Sequence, residues 1–305
     1  MTSPPPVHVR APGKINLSLR AGPPDTEGYH PLATVFQAVS LYEDVVAHPG
    51  QGVSVQINGR GADLPTDTTN LAVRAAGLLR SSTGTEDGVR LELTKAVPVA
   101  GGMAGGSADA AATLLACDQL WGTGRTREEL VALAARLGAD VPFALTGMTA
   151  VGTGRGDVVT PAMSRGTYHW VLALQDEGLS TPEVFRALDE GAGPGRPQPE
   201  VDEDLLAALV GGDATALAPH LGNDLQEPAL DLRPELGDVL AACHRAGALA
   251  ALVSGSGPTV VALALDGPHA RSVAEVVRAA EVADEVLTAT GPVPGARVVE
   301  RVGAQ

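Results

Sequence analysis

The sequence predicts an α+β protein with two domains. Its 305 residues exceed one average domain and suit two of about 150 residues each. Strand-like and helix-like segments follow one another in uneven order, unlike the regular strand–helix–strand alternation of a doubly wound sheet. We expect the boundary near residue 160, after the glycine-rich segment 151–156, which gives domains at 1–160 and 161–305.

Apolar spacing defines the elements of the first half. Alternating apolar residues indicate strands, and apolar residues that repeat every three or four positions indicate helices. Ala11-Pro12-Gly13 is predicted to form a turn, Thr68 or Thr69 to lie near the start of the first helix, and Gly138 to end the third helix. The predicted elements are strands at 7–10, 15–19, 35–46, 53–57 and 89–93, and helices at 70–80, 107–121 and 126–137.

The second half shows the same two kinds of pattern. A tight turn is predicted at 254–258, and the proline- and glycine-rich segment 189–200 is predicted to be flexible. The predicted elements are strands at 170–174, 251–253, 259–265 and 297–301, and helices at 202–210, 234–246 and 268–283.

The chain is acidic, with 21 basic against 36 acidic residues and a formal net charge of −15. A field of that sign repels phosphate backbones, so we expect neither a nucleic-acid partner nor an anionic membrane surface. The first ten residues lack the apolar core of a secretion signal, and no apolar run reaches membrane-spanning length. Cys117 and Cys243 are predicted to be free, buried thiols. These features predict a cytoplasmic protein.

The most informative segment is glycine-rich and runs from Lys95 to Ala111. It lies between a predicted strand and a helix expected to begin near Ser107. Backbone N–H groups at a helix start, the helix dipole and the absence of Cβ atoms together make a phosphate-binding loop. Neither GxxxxGK[ST] nor GxGxxG occurs, which disfavours the P-loop and dinucleotide-binding classes. The alternative is a connector that only permits close packing.

Three polar residues are candidates for the chemistry. Ser107 is either the N-cap of its helix or a hydroxyl beside bound phosphate or its metal. Lys14 lies on the same side of a predicted strand as Asn16, and it is either solvated or neutralises a transferring phosphoryl group. Asp140 follows a helix end among apolar neighbours. It either orders the loop as an Asx turn or acts as general base toward a hydroxyl.

Aromatic residues are scarce, at 3% of the chain, and three rings sit in suggestive places. Tyr29 and His30 lie in a polar loop before a strand, where a stacked ring and a hydrogen-bonding neighbour would suit a planar heterocycle. Phe185 is a candidate for the opposite wall. The alternatives are a surface tyrosine that covers the loop and a phenylalanine in the core.

The order of these segments resembles the GHMP kinases, the superfamily of galactokinase, homoserine kinase and mevalonate kinase. Within it they are most similar to the members that phosphorylate a cytidyl diphospho-polyol in non-mevalonate isoprenoid synthesis. The GYH element separates those members from mevalonate and homoserine kinases, which hold no cytosine. The markers are APGKINLSL (11–19), GYHPL (28–32), TNLAVRAA (69–76), PVAGGMAGGSADAA (98–111), LGADVPF (137–143), STPEVF (180–185) and SGSGPTV (254–260).

The resemblance implies the two-domain GHMP kinase fold, with an N-terminal domain like ribosomal protein S5 domain 2 and a C-terminal α/β sandwich. It implies ATP and Mg²⁺ as cofactors, a small-molecule acceptor, and a monomer or weak homodimer. Lys14 and Asp140 match the catalytic pair of the family, and Ser107 is expected near the metal. The residues implied in ATP binding are Asn70 and Lys95 at the adenine end and Pro98, Val99, Ala100, Gly101, Gly102, Met103, Ala104, Gly105, Gly106, Ser107 and Ala108 in the loop.

The same resemblance assigns the acceptor end. Tyr29 and Phe185 match the aromatic walls that sandwich cytosine, His30 matches the residue that reads the edge of the base, and Asn16 matches a contact to substrate. The implied reaction is transfer of the γ-phosphoryl group of ATP to the 2-hydroxyl of the methylerythritol portion.

The sequence departs from the family pattern at four positions of the loop. Ala100 and Ala104 stand where glycine is common, and Ala108 where serine is common. Asp109 places a negative charge near the expected triphosphate, which is unfavourable unless the side chain turns outward or helps to hold Mg²⁺.

Two other functions stay open at this point. One is a GHMP kinase with a different acceptor, and the other is a binding or scaffolding protein that keeps the fold without turnover. The oxidoreductase, serine hydrolase and zincin classes lack their fingerprints here.

Overall fold

Two β-sheets with helices packed on them form the framework of the chain. The computed structural model describes residues 4–192 and 196–301. Within that range an eight-stranded sheet carries most of the first half, and a four-stranded antiparallel sheet lies in the second half. The mixed helix and strand content confirms the predicted α+β class.

The first sheet has the path β12-β1-β2-β4-β3, with β5 and β6 joined to β2 and the short β8 joined to β1. Most of its pairs are antiparallel, while β3 runs parallel to β4 and β8 parallel to β1. Its strands are β1 (Val7–Ala21), β2 (Leu32–Gly50), β3 (Val53–Gly59), β4 (Gly88–Lys95), β5 (Thr149–Thr153), β6 (Val158–Pro161), β8 (Gly222–Asn223) and β12 (Arg297–Arg301).

The second sheet has the order β11-β7-β10-β9, and each neighbouring pair is antiparallel. Its strands are β7 (Tyr168–Leu174), β9 (Ala250–Val253), β10 (Val260–Ala264) and β11 (Glu285–Gly291). The helices of the whole chain are α1 (Leu71–Thr83), α2 (Gly105–Trp121), α3 (Arg127–Ala135), α4 (Val141–Thr146), α5 (Thr181–Ala192), α6 (Glu203–Gly211), α7 (Ala214–Leu217), α8 (Gln226–Leu232), α9 (Leu236–Arg245) and α10 (Gly267–Ala279).

Three large apolar clusters hold these layers together. One joins the first sheet to α1, α2 and α3, and its members are mostly alanine, valine and leucine. Another packs α5, α8, α9 and α10 on the second sheet. The third lies between the two sheets, where Ile15 and Leu17 of β1 meet Trp170 and Leu172 of β7. Burial of this aliphatic surface is the main favourable term that fixes the sheets relative to each other.

The predicted turn at Ala11-Pro12-Gly13 is wrong, because these residues lie inside strand β1. The chain continues through these residues as one strand of 15 residues. Its pairing with β2 shifts register between Pro12 and Gly13, which marks a β-bulge. Because a bulge tolerates proline and glycine inside a strand, the dipeptide bends the strand without ending it. The bulge lies immediately before Lys14.

Helix starts agree with the predictions to within two residues. Helix α1 begins at Leu71 and is capped by Asn70, whose side chain accepts a hydrogen bond from the Ala72 N–H. Helix α2 begins at Gly105, two residues before the predicted Ser107, and its N-cap residue is Ala104. Helix α3 starts as predicted after Thr126, in a capping box with Glu129, and ends at Ala135 before Gly138.

Several elements were absent from the predictions: α4, α5, β5, β6, α7, β8, α8 and β11. The shortest of them, such as α4 with six residues and β8 with two, show too few periods for apolar spacing to identify them. Helix α5 extends into the segment 189–200 that was predicted to be flexible, and residues 193–195 of that segment lie outside the described residues.

The predicted boundary near residue 160 falls between β6 and β7, which belong to different sheets. The last strand, β12, returns to the first sheet and pairs with β1. A single cut near residue 160 therefore does not assign every strand to its own sheet. The division into domains at 1–160 and 161–305 stays a prediction.

The described part of the chain confirms that both cysteines are free and buried. Burial raises the pKa of the Cys117 thiol, and it raises that of Cys243 to about 11. No helix in the described ranges combines the length and apolar character that crossing a membrane requires.

The sequence holds two lysines, and both are buried. Lys14 is 7% exposed in β1, and Lys95 is 4% exposed at the end of β4. Lysine is rarely buried unless its ammonium is paired, so each position needs a specific explanation.

Candidate active site

A cavity of about 420 Å³ opens where β1, the start of α2 and the start of α4 meet. Lys14 and Asn16 reach it from β1, and Asp140 reaches it from the residue before α4. The other predicted site residues that line this cavity come from the glycine-rich loop and from α5: Pro98, Ala100, Gly101, Gly102, Ala104, Gly105, Gly106, Ser107 and Phe185. Residues far apart in sequence thus surround one space.

Two hydrogen bonds fix the Lys14 ammonium inside this cavity. Its Nζ donates to Asn16 Oδ1 at 2.7 Å and to the Gly102 carbonyl at 2.9 Å. The backbone N–H of Lys14 donates to the Met103 carbonyl at 3.1 Å, which ties β1 directly to the loop. Burial lowers the pKa of Lys14, and the negative charge of Asp140 raises it in part. The ammonium is therefore preorganised beside the loop, within the electrostatic reach of Asp140.

Asn16 is held by a chain of hydrogen bonds below the cavity floor. Its Nδ2 donates to Thr34 Oγ1 at 2.8 Å, and that hydroxyl donates to the Ser18 carbonyl at 2.6 Å. The amide oxygen is therefore turned toward Lys14. In this arrangement Asn16 orients the ammonium and also lines the cavity.

Asp140 does not use its side chain to order the loop. It occupies the N-cap position of α4 without a capping hydrogen bond, and among the described residues its carboxylate accepts none. The Asx-turn alternative therefore lacks its defining hydrogen bond. The half-buried carboxylate faces the cavity that also contains the Lys14 ammonium.

The glycine-rich loop packs against the turn at 254–257. Gly102 has a φ of 73°, and a Cβ built there would lie 2.0 Å from the Ser254 carbonyl oxygen. Ser254 Oγ also donates to the Gly102 carbonyl at 3.2 Å. The loop thus needs glycine at this position. Ala100 and Ala104, where relatives often carry glycine, adopt left-handed φ values of 51° and 58°.

The first turn of α2 presents free backbone groups to the cavity. The N-cap residue Ala104 has no side chain that can accept from the first N–H groups. Gly106 is exposed, and a Cβ there would meet only Leu71 Cδ1, at 3.5 Å. Ser107 is the third helical residue rather than the N-cap, so its hydroxyl is not used in capping. These features give a helix start that suits an anion.

Replacing Gly106 with alanine tests this helix start without disturbing the fold. We expect the KM for ATP to rise about tenfold, because the added methyl group keeps phosphate away from the N–H groups. We expect the free energy of unfolding to stay equal or to rise by up to about 1 kcal/mol, since alanine favours helix. Steady-state kinetics and chemical denaturation measure the two effects.

The matched control is Gly77→Ala, a glycine inside α1 that also has open space around its Cβ position. It should gain similar stability with no change in KM. An unchanged KM in Gly106→Ala would show that phosphate does not approach this turn.

A neighbouring cavity of about 270 Å³ lies on the other side of the loop. Asn70, Lys95, Pro98, Val99, Ala100 and Gly106 line it, so it gathers the residues implied for the adenine end. Met103 and Ala108 line neither cavity, because their side chains are buried in the apolar clusters. Only the backbone of these two residues is available to a ligand in the loop.

Lys95 takes part in a buried cluster with two carboxylates. Its Nζ donates to Glu43 Oε1 at 2.9 Å and to Asp109 Oδ2. Glu43, which is fully buried in β2, also accepts from the Ala96 N–H at 3.0 Å. Asp109 therefore does not turn outward: it is buried, its Oδ2 accepts from Lys95, and it lines the 270 Å³ cavity rather than the 420 Å³ cavity. The cluster anchors the strand before the loop to the first turn of α2.

One lysine facing two buried carboxylates leaves a charge imbalance. Burial and the nearby Asp109 raise the pKa of Glu43 to about 8. In the folded protein Glu43 keeps its proton up to that pH, while in the unfolded chain it ionises near its ordinary value. The contribution of this group to stability is therefore largest at low pH and decreases as the pH rises toward about 8.

Glu43→Gln should remove this pH dependence. We expect the variant to gain at least about 1.4 kcal/mol relative to the parent protein between pH about 5 and pH about 8, the equivalent of one pKa unit. Urea denaturation of both proteins at the two pH values gives the difference. A constant difference across the range would mean that Glu43 titrates normally.

The aromatic residues form two contacts at the far end of the cavity. The rings of His30 and Phe185 stack with centroids 4.8 Å apart and an interplanar angle of 23°. Tyr29 is 50% exposed, and the Arg155 guanidinium carbon lies 3.5 Å from its ring centroid. Phe185 thus faces His30 rather than Tyr29, and this contact leaves no space for a base between His30 and Phe185. The predicted sandwich between Tyr29 and Phe185 stays a prediction.

His30 is also fixed by polar contacts at both ring nitrogens. Nδ1 donates to the Gly22 carbonyl at 2.9 Å, and Nε2 lies 3.3 Å from Asp189 Oδ2. Tyr29 and His30 line a third cavity, of about 590 Å³, next to the first one. Arg155 borders both.

Several residues that shape the site could not be predicted from the sequence. Arg155, Glu43 and Thr34 carried no motif, because each acts through a partner distant in sequence. The turn at 254–257 was quoted as a family marker, yet its packing on Gly102 could not be foreseen. One signal for the Lys95 cluster was available in β2. Glu43 alternates with the apolar residues Val45 and Ala47, which places its carboxyl group on the buried face of the strand.

Comparison with known proteins identifies the family. Residues 70–148 match the family described as GHMP kinases N terminal domain, and residues 205–283 match GHMP kinases C terminal. The chain is 56% identical over 303 residues to a protein of Leifsonia xyli subsp. xyli, with 96% of this chain and 98% of the relative covered. It is 52% identical over 309 residues to a protein of Thermobifida fusca, with 98% and 100% covered.

Solved structures give the same result. One, 36% identical, aligns with a TM-score of 0.76 and covers 93% of this chain and 98% of its own. A homoserine kinase from Cytophaga hutchinsonii, 20% identical, aligns with a TM-score of 0.75, covers 98% of this chain and 99% of its own, and supports the fold alone. The chain belongs to the GHMP kinases, and the predicted two-domain kinase fold is confirmed. Both relatives above are named 4-diphosphocytidyl-2-C-methyl-D-erythritol kinase, and the 36% identical structure is that of 4-(cytidine 5'-diphospho)-2C-methyl-D-erythritol kinase.

Proposed function

We propose that this chain transfers the γ-phosphoryl group of ATP to the 2-hydroxyl of 4-diphosphocytidyl-2-C-methyl-D-erythritol, a step of the non-mevalonate isoprenoid precursor pathway. Membership of the kinase family supports ATP as the phosphoryl donor. The names of relatives that are more than half identical over nearly the whole chain support this acceptor. The observation that carries the proposal is that Lys14 and Asp140 line one cavity with the start of α2.

The phosphates of ATP would lie at the start of α2. The backbone N–H groups of residues 101–106 and the helix dipole favour negative charge there, which the overall charge of −15 otherwise opposes. The cavity beside the loop has a volume of about 270 Å³. Pockets for whole ligands begin at roughly 300 Å³, so this cavity suits one part of a ligand, here the adenine. Asn70 and Lys95 would border the base.

A Mg²⁺ ion fits the residues on the phosphate side of the cavity. Ser107 lines the cavity and is not the N-cap of its helix, and Mg²⁺ in such sites keeps one or two protein ligands besides phosphate oxygens and water. Asp109 lines the 270 Å³ cavity rather than the one that Ser107 lines, and its Oδ2 accepts from Lys95. When bound, the ion supplies charge neutralisation for the phosphates.

Asp140 would orient the acceptor hydroxyl and accept its proton. Its carboxylate has the freedom for this task, since it makes no capping bond. Lys14 would stabilise the negative charge on the transferring group from its fixed position beside Gly102. Phosphoryl transfer depends mainly on positioning and charge neutralisation, so this small set of groups is sufficient.

The cytidyl end of the acceptor would occupy the third cavity and the aromatic residues beside it. Tyr29 and Phe185 would provide the walls and His30 the hydrogen bonds to the base edge, with the ring nitrogen near Asp189 as the group that must exchange partners. Asn16 would contact the polyol portion near Lys14. A cytoplasmic location and a monomer or weak homodimer stay predictions.

An ADP-coupled assay with cytidyl and non-cytidyl polyol acceptors tests the proposal. We expect turnover with the cytidyl diphospho-polyol and competition by CMP against it. Turnover with another polyol, insensitive to CMP, would indicate a GHMP kinase with a different acceptor. ATP binding without turnover of any acceptor would favour the binding-protein alternative.

A further inference from the structure

We propose that Arg155 binds the diphosphate of the acceptor and thereby connects the base end of the site to the catalytic end. This inference rests on the proposed function. It concerns a residue that no motif of the sequence analysis singled out.

The position of Arg155 is fixed by the turn that joins β5 and β6. Gly154 and Gly156 on either side have φ values of 68° and 89°, and Asp157 Oδ1 accepts the Arg155 N–H at 3.1 Å. The Gly154 carbonyl accepts from the Leu32 N–H at 2.7 Å. The turn is thus attached to the start of β2, directly after the loop that carries Tyr29 and His30.

Arg155 borders both cavities of the acceptor site. The 420 Å³ cavity contains Lys14 and Asp140, and the 590 Å³ cavity contains Tyr29 and His30. In the proposed acceptor the diphosphate lies between the cytidine and the methylerythritol. A ligand with its base at one end and its hydroxyl at the other therefore brings its diphosphate past the side chain that the two cavities share.

The charges of the site also require a cation at this place. Lys14 is the other cationic side chain lining the 420 Å³ cavity, and its ammonium is engaged by Asn16 and Gly102. The remaining charged groups at the third cavity include Asp25 and Asp157. A diphosphate entering an acidic protein beside these carboxylates needs a balancing charge, and the planar guanidinium suits phosphate oxygens in a bidentate arrangement.

The present partners of Arg155 are easily exchanged. Its Nη2 donates to Glu27 Oε2 at 2.9 Å, and both side chains are about half exposed or more. An exposed ion pair of this kind contributes at most about 1 kcal/mol. Movement of the guanidinium from the Tyr29 ring to a diphosphate would also free that ring face for a base. The same side chain thus links the two parts of acceptor binding.

Kinetics of Arg155→Gln test the inference. We expect the KM of the cytidyl diphospho-polyol to rise about 10- to 100-fold, the range for loss of a charged hydrogen bond. We expect kcat to stay within about threefold and the KM of ATP to stay unchanged, because Arg155 does not line the cavity assigned to the adenine. Arg155→Lys, which keeps the charge without the planar fork, should fall between the two proteins. Arg90→Gln, which removes an exposed arginine paired with Glu92 on β4, is the matched control.

Inhibition by CDP and by cytidine separates the diphosphate from the base. We expect the parent protein to bind CDP more tightly than cytidine, and Arg155→Gln to lose most of that difference while its affinity for cytidine does not fall. An unchanged acceptor KM, or equal losses for CDP and cytidine, would overturn the role of Arg155. If the parent protein neither turns over the cytidyl acceptor nor binds CDP, the proposed function fails and this inference fails with it.

Discussion

Asp140→Asn is expected to lower kcat by at least ~100-fold with little change in stability. Removal of a positioned general base typically costs about 10²–10⁴-fold in rate. Asparagine keeps the shape of the side chain and lacks its charge and basicity. The Asp140 carboxylate makes no capping bond, so the start of α4 should not depend on it. Single-turnover or steady-state ADP release measures the rate, and thermal unfolding measures the stability.

Asp213→Asn is the matched control for this variant. Asp213 caps α7 through the Thr215 N–H, and asparagine serves equally well as an N-cap, so neither rate nor stability should change. A near-parental rate for Asp140→Asn would reject Asp140 as the base. A KM effect without loss of kcat would assign it to substrate binding alone.

Lys14→Met is expected to lower kcat by about 10²–10³-fold. Preorganised charge next to a transferring group commonly contributes an effect of this size, and methionine removes the charge while filling a similar volume. Folding should survive, because the Gly102 carbonyl keeps its hydrogen bond from Ser254. The Asn16 amide oxygen loses a donor, which costs about 1–3 kcal/mol.

Nucleotide affinity distinguishes the roles of Lys14 in this experiment. Calorimetric titration with ATP should give nearly parental binding, since the backbone of the loop is intact. A variant that retains more than a tenth of the parental kcat would show that the ammonium has a structural role only. A variant that no longer binds ATP would show that Lys14 holds the loop rather than the reacting group.

Much of the fold was predictable because its long elements show clear periods. The strand at 297–301 and helix α2 are close to their predicted bounds. The turn predicted at Ala11-Pro12-Gly13 was wrong, because the rule that proline and glycine end strands does not foresee a bulge. The pairing of β12 with β1 joins the two ends of the chain, and no local pattern carries that information.

The candidate site was predictable at the level of motifs and much less at the level of contacts. Lys14, Asp140 and Ser107 were named from short segments, and the fold brings them to one cavity. The pairing of Lys95 with Glu43 and Asp109 could not be foreseen, since it depends on the packing of β2 against α2. The stacking of His30 on Phe185 is likewise a tertiary contact, between the loop before β2 and helix α5, which lie far apart in the sequence.

The burial of both lysines has a practical consequence for chemical labelling. Reagents that acylate amines usually modify surface lysines first, and here the surface carries arginine instead. An activated ester small enough to enter the 420 Å³ cavity would meet the Lys14 amine, whose lowered pKa leaves a larger neutral and nucleophilic fraction than an ordinary lysine has. Protection of that amine from acylation would then report directly on occupancy of the cavity.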